Sequence, residues 1–102
     1  MADFVEAAQL DQVPLGTSKV VKLMDKNVAL FNVDGNIYAI EDTCLHAGAS
    51  LGAGKLNGII VTCRAHGLRY DVTTGHLTSS PELGVASYPV KLVDGKIMVA
   101  IS

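Results

Sequence analysis

Apolar residues along this chain come in short runs rich in Val and Ile, separated by Gly, Asp and Asn, which is the pattern of β-strands joined by tight turns. Ser18 to Met24 and Asn27 to Val33 read as two strands split by Asp25-Lys26. Asp34-Gly35 then turns the second strand onto Asn36 to Ile40. An Asp-Gly pair between apolar runs marks a hairpin, because Gly and Asp tolerate the left-handed backbone that such turns require. The same device, Asp94-Gly95, joins Val90 to Val93 with Lys96 to Ile101. Shorter strands are predicted at Gly58 to Thr62 and at Leu68 to Val72, the latter running into the Thr74-Gly75 turn. Helical periodicity is confined to one turn around Ala8 to Gln12, which Pro14 would end. The pattern therefore predicts an all-β domain.

The segment Glu41 to Ala53 breaks this pattern, being made of small residues, two glycines and a Cys-His pair. It reads as a loop, and loops held by a rigid β scaffold are where sites concentrate. The 102 residues fit a single domain, residues 1–102, with one core. A composition of 49% hydrophobic residues excludes a disordered chain. The net charge of -2 offers no basic surface for a phosphate backbone, so nucleic-acid binding is not expected. Mean hydropathy is positive, at +0.35. The longest stretch without Asp, Glu, Lys or Arg, Thr43 to Gly54, is nevertheless only 12 residues, too short for a membrane span. The acidic N-terminus lacks the basic flank and apolar run of a signal peptide, so a cytoplasmic protein with no membrane association is expected. Two cysteines are too few for a disulfide scaffold and point to metal or redox chemistry in a reducing compartment.

The cysteines and two of the three histidines fall into one arrangement. Cys44-Leu45-His46 is followed by sixteen residues and then Cys63-Arg64-Ala65-His66. Each half supplies one thiolate and one imidazole from a short loop, as two loops clamping a shared inorganic centre would. On ligand chemistry alone the four residues suit either zinc or an iron-sulfur cluster.

In ligand order and spacing the sequence resembles the Rieske-type ferredoxins, whose motif is C-x-H, a spacer of about this length, and C-x-x-H. The resemblance extends to Gly67 after the second His, to Tyr70-Asp71, to Thr74-Gly75 and to Tyr88-Pro89-Val90, and so covers nearly the whole chain. It implies a Rieske-type antiparallel β-sandwich base, about residues 1–40 and 80–102, with a small two-loop cluster-binding part at about 41–79. It also implies one 2Fe-2S cluster, with Cys44 and Cys63 on the inner iron and His46 and His66 on the outer one. Two ferric ions and two sulfides carry a double positive charge that two thiolates cancel. A neutral oxidised site accepts an electron more readily than an all-Cys site, which raises the potential from about -400 mV to roughly -150 to +300 mV. The added electron would reside on the His-ligated iron, making the imidazole edges the electron exit.

Departures from the family pattern place the chain within it. Leu45 stands where many members have Pro, and Ala65 where an aromatic residue precedes the second His, implying a thinner cover over the cluster. Leu68 replaces the Ser of the cytochrome bc branch, and that branch's extra disulfide cysteines are missing. Tyr70 is retained and is expected to donate its hydroxyl toward a cysteine sulfur. The resemblance implies a monomeric one-electron carrier of a bacterial oxygenase system, with a potential near about -150 mV. Such a carrier takes electrons from an NAD(P)H-dependent flavin reductase and passes them to a terminal oxygenase, either an aromatic-ring dioxygenase or a di-iron monooxygenase. It transforms no substrate itself. The rival readings are a bound small subunit of a larger oxidoreductase such as nitrite reductase, and a zinc-stabilised binding module.

Four further sets of residues carry specific expectations. His76 is expected to be exposed rather than a ligand. Arg64 and Arg69 flank the second loop, where each either raises the potential, meets an acidic partner or stands as a solvated surface charge. Gly48 and Gly67 either offer N-H groups to cluster sulfurs or simply adopt positive φ. Leu45, Ala47 and Leu51 form an apolar rim for docking or pack beneath the cluster.

Overall fold

The computed structural model describes residues 4–45, 48–65 and 67–101. Its strands are β1 (Phe4–Gln9), β2 (Ser18–Leu23), β3 (Lys26–Val33), β4 (Asn36–Glu41), β5 (Lys55–Asn57), β6 (Ile60–Thr62), β7 (Arg69–Asp71), β8 (Ser87–Tyr88), β9 (Val90–Val93) and β10 (Lys96–Ala100). They form three sheets, ordered β1-β10-β9, β2-β3-β4-β8 and β5-β6-β7, in which every pairing is antiparallel. Among the described residues the one helical element is a 3-10 turn at Leu10–Gln12, and no helix is long and apolar enough to cross a membrane.

The four-stranded sheet lies between two cores, and β3 shows this most plainly. Successive side chains on a strand point to opposite faces. Ala29, Phe31 and Val33 pack with Ile40, Leu51, Val61 and Tyr70 on one face, and the same cluster holds Cys44 and Cys63. Val28 and Leu30 pack on the other with Ile37, Ala39, Ile97 and Val99. Burial is therefore continuous from Val28 to Val33. This explains why the run lacks the apolar-polar alternation of a half-exposed antiparallel strand.

The hairpins follow the Asp-Gly signals. Asp34-Gly35 and Asp94-Gly95 have φ of 54° and 92°, and of 51° and 77°, so both residues of each turn are left-handed. Leu23 pairs with Lys26, so the first turn is Met24-Asp25, one residue earlier than the expected Asp25-Lys26 split. The N-terminal expectation also changes. Phe4–Gln9 is a strand on β10, and the helical turn shrinks to the 3-10 segment that follows it. An irregularity between Glu6 and Ala8 shifts the register, interrupts the two-residue period and hides the strand from pattern reading. The predicted strand Gly58 to Thr62 begins only at Ile60, because Gly58, at φ 63°, belongs to the turn from β5. β5 itself, Lys-Leu-Asn, is too short to show a period.

Asn32, buried on the otherwise apolar β3, is fully engaged. Its Nδ2 donates to the Val13 carbonyl at 2.7 Å, and its Oδ1 accepts from the Gly35 N-H at 3.0 Å. Its backbone also bonds Gly16 and Thr17, tying the 13–17 loop to the sheet. Asn32→Ala strands a carbonyl and an N-H together and is expected to cost about 1–3 kcal/mol. A lowered urea midpoint at unchanged slope would record this.

Candidate metal centre

Both cysteines leave the scaffold through the same backbone turn. Thr43 precedes Cys44 and Thr62 precedes Cys63. In the first loop the Cys44 N-H donates to the Ala49 carbonyl at 2.8 Å, and the Gly48 N-H donates to the Cys44 carbonyl at 2.9 Å. In the second, Cys63 N-H donates to the Leu68 carbonyl at 2.7 Å, and Gly67 N-H to the Cys63 carbonyl at 3.0 Å. Gly48 and Gly67 have φ of 71° and 72°, and a Cβ on either would meet open space. These glycines are thus required by backbone angle, and their N-H groups are spent on the cysteine carbonyls rather than offered to sulfur. The turns close by backbone bonds of their own.

The two thiol side chains are buried within one core cluster, and they are not joined in a disulfide. Tyr70, with no exposed surface, reaches them from β7. Its Oη lies 3.3 Å from Cys44 Sγ and accepts the Leu45 N-H at 2.9 Å. With Cys44 as a thiolate the hydroxyl is the one member of the pair that carries a proton, so it would donate to the sulfur. Burial above all, then the Cys44 contact, pushes the Tyr70 hydroxyl up to about 12, against a partial lowering by the Leu45 N-H. It therefore stays a protonated donor throughout the neutral range.

The first loop has an additional anchor that sequence reading missed. Asp42 Oδ1 accepts from Ser50 Oγ at 2.9 Å and from the Gly52 N-H at 2.7 Å. Its backbone N-H donates to Asn27 on β3, and its carbonyl accepts from Leu51. An acidic residue at the start of a loop that returns through Ser and Gly was the available signal.

The remaining expected residues divide clearly. Leu45 is 52% exposed, whereas Leu51 is fully buried in the core, so Leu51 belongs beneath the site and not to a docking rim. Arg64, Arg69 and His76 are exposed. His46, His66 and Ala47 lie outside the described residues. Two equal turns, each carrying a buried thiol and each containing one His in its sequence, supply a donor set that fits a cluster with mixed Cys and His ligation.

A β scaffold presenting two such loops defines a small metal-binding protein, and comparison with known proteins specifies which kind. The chain belongs to the Rieske [2Fe-2S] domain family, whose model matches residues 3–89. It is 36% identical to the ferredoxin component of the naphthalene 1,2-dioxygenase/salicylate 5-hydroxylase systems of Ralstonia sp., across 95% of this chain and 94% of that protein. Among solved structures it is similar to the ferredoxin of carbazole 1,9a-dioxygenase from Nocardioides aromaticivorans IC177, with a TM-score of 0.91 at 30% identity, covering 99% and 100% of the two chains. A second neighbour is a complex of reduced oxygenase and oxidized ferredoxin in carbazole 1,9a-dioxygenase, with a TM-score of 0.86 at 31% identity, covering 95% and 92%. The family decides between the two metal readings in favour of one 2Fe-2S cluster rather than zinc. The all-β sandwich expected from the sequence is likewise the architecture of these neighbours.

Tyr70→Phe removes the proton facing Cys44 Sγ and leaves the Leu45 N-H without its acceptor. A loss of about 1–3 kcal/mol in stability is expected. The hydroxyl also favours added negative charge at sulfur, so the midpoint potential should fall. Because the folded pKa lies above the ordinary value of 10, the hydroxyl's share of stability is complete below pH 10 and fades as pH rises toward 12. Denaturation of wild type and Tyr70→Phe across that window should show the difference between them shrinking.

Proposed function

We propose that Cys44, His46, Cys63 and His66 hold the cluster, the cysteines on one iron and the histidines on the other. We also propose that residues 41–79 form the cluster-binding part on a base made of 1–40 and 80–102. The repeated cysteine turn carries the ligand reading, since two segments with matching backbone bonds have one thiol and one imidazole each. The three-stranded sheet β5-β6-β7 and both turns fall within 41–79, which supports the division. When bound, the cluster takes up and releases one electron at a time.

The protein is an electron carrier and transforms no substrate. Its own residues bury the sulfurs, supply the Tyr70 hydroxyl and leave the Leu45 side of the first loop open to solvent. The end-to-end match to ferredoxin components supports a place in a bacterial aromatic-ring oxygenase system. There the chain would receive electrons from a flavin-dependent reductase and deliver them to the terminal oxygenase. The complex solved for the carbazole system shows that a ferredoxin of this kind docks on its oxygenase. A carrier that must leave after each electron is best served by a small interface, below about 1,200 Å².

Replacing any of the four ligands by Ala should abolish assembly of the 2Fe-2S cluster, read by visible absorption and by EPR after anaerobic reduction. If both His46→Ala and His66→Ala kept wild-type spectra, the ligand assignment would be overturned. For docking, Leu45→Glu places a charge on the exposed apolar tip and should weaken productive encounter by about tenfold, or about 1.4 kcal/mol, without bleaching the cluster. Stopped-flow transfer to the oxygenase measures this, and unchanged kinetics would move the contact elsewhere.

A further inference from the structure

The two ligand loops match in backbone but differ in one buried charge. Aligned on their cysteines, Asp42-Thr43-Cys44 corresponds to Val61-Thr62-Cys63. Val61 is fully buried, as an apolar residue behind a metal loop should be, and Asp42 is 6% exposed. Among the described residues Asp42 is the one carboxylate that is buried. Two donors converge on its Oδ1, the Ser50 hydroxyl and the Gly52 N-H, and both come from the returning arm of the same loop. Thr43 bridges Ser50 across that arm, which fixes the carboxylate in place. Two residues of chain span no more than about 7 Å, so its Cα is held that close to the Cα of Cys44.

We propose that Asp42 is a fixed buried anion that lowers the reduction potential of the cluster, acting from the first loop alone. Reduction adds one negative charge to the site, and a carboxylate of like sign nearby opposes it. Burial keeps that opposition strong, because counter-ions cannot gather around the group and the surrounding dielectric is low. The anchoring role of Asp42 is separable from its charge. An Asn at the same position presents an amide oxygen where Oδ1 stands, able to accept from Ser50 and Gly52, yet carries no charge. A structural role alone would leave the potential unmoved by this exchange.

This inference rests on the ligand reading above, and the experiment keeps the two apart. Purified, cluster-loaded wild type, Asp42→Asn and Asp42→Ser are compared by visible absorption, EPR and protein-film voltammetry at neutral pH, in low and in high salt. The expected result is a wild-type spectrum with a higher midpoint potential in a neutral variant, and a shift that persists in high salt. A wild-type midpoint in a neutral variant that retains its spectrum overturns the proposal, as does a shift that disappears in high salt. Loss of the cluster from both neutral variants also overturns it, since the carboxylate would then be a folding requirement. If wild type itself showed no 2Fe-2S spectrum, the ligand reading would fail first.

Discussion

The site depends on β3 being covered on both faces. A strand at the surface of a sheet can bend and slip, but one packed between two cores has its register fixed from above and below. Ala29, Phe31 and Val33 form the floor on which Leu51, Val61 and Tyr70 settle, and the cysteines are buried in that same cluster. The opposite face, through Val28 and Leu30, is held by β10 and by the 13–17 loop that Asn32 secures. The position of the sulfurs is thus inherited from a packed strand rather than from the loops alone. The base sheet β1-β10-β9, remote in sequence, contributes to the site by this route.

What the sequence disclosed was set by which signals are local. The Asp-Gly turns and the strands beside them were legible because a two-residue loop requires left-handed backbone that few residues adopt. The four candidate ligands stood out because their types and spacing are themselves the chemical requirement of a mixed Cys-His centre, and the family match then fixed the kind of cluster. The first strand was not legible, since the irregularity between Glu6 and Ala8 removes the alternation by which a strand is recognised. Leu51 was ambiguous for another reason. Its neighbours in sequence belong to a loop, but it is buried in a core cluster that includes residues of β3, β4, β6 and β7. Asp42 went unnoticed because its partners, Ser50 and Gly52, lie eight and ten residues further on.

The repetition of the cysteine turn adds to that packing a short ring of backbone bonds around each cysteine. The residue directly after each cysteine takes no part in those closing bonds, and there the two loops differ, Leu45 in the first and Arg64 in the second. Specialisation of the tip therefore does not disturb the support beneath it. Residues that tune the centre, Tyr70 on β7 and the anchors of the first loop, sit behind the turns.

The bonds that close those turns join protein to protein and involve no metal-bound atom. A frame built in this way is held by bonds that do not depend on the metal. For a carrier, the speed of exchange depends on how far the surroundings must rearrange when the charge changes, and stiff, pre-aligned dipoles keep that rearrangement small. The two short backbone rings around Cys44 and Cys63 thus do for kinetics what the ligands do for energetics. Backbone bonds of that kind are what a small rearrangement on electron arrival and departure would require.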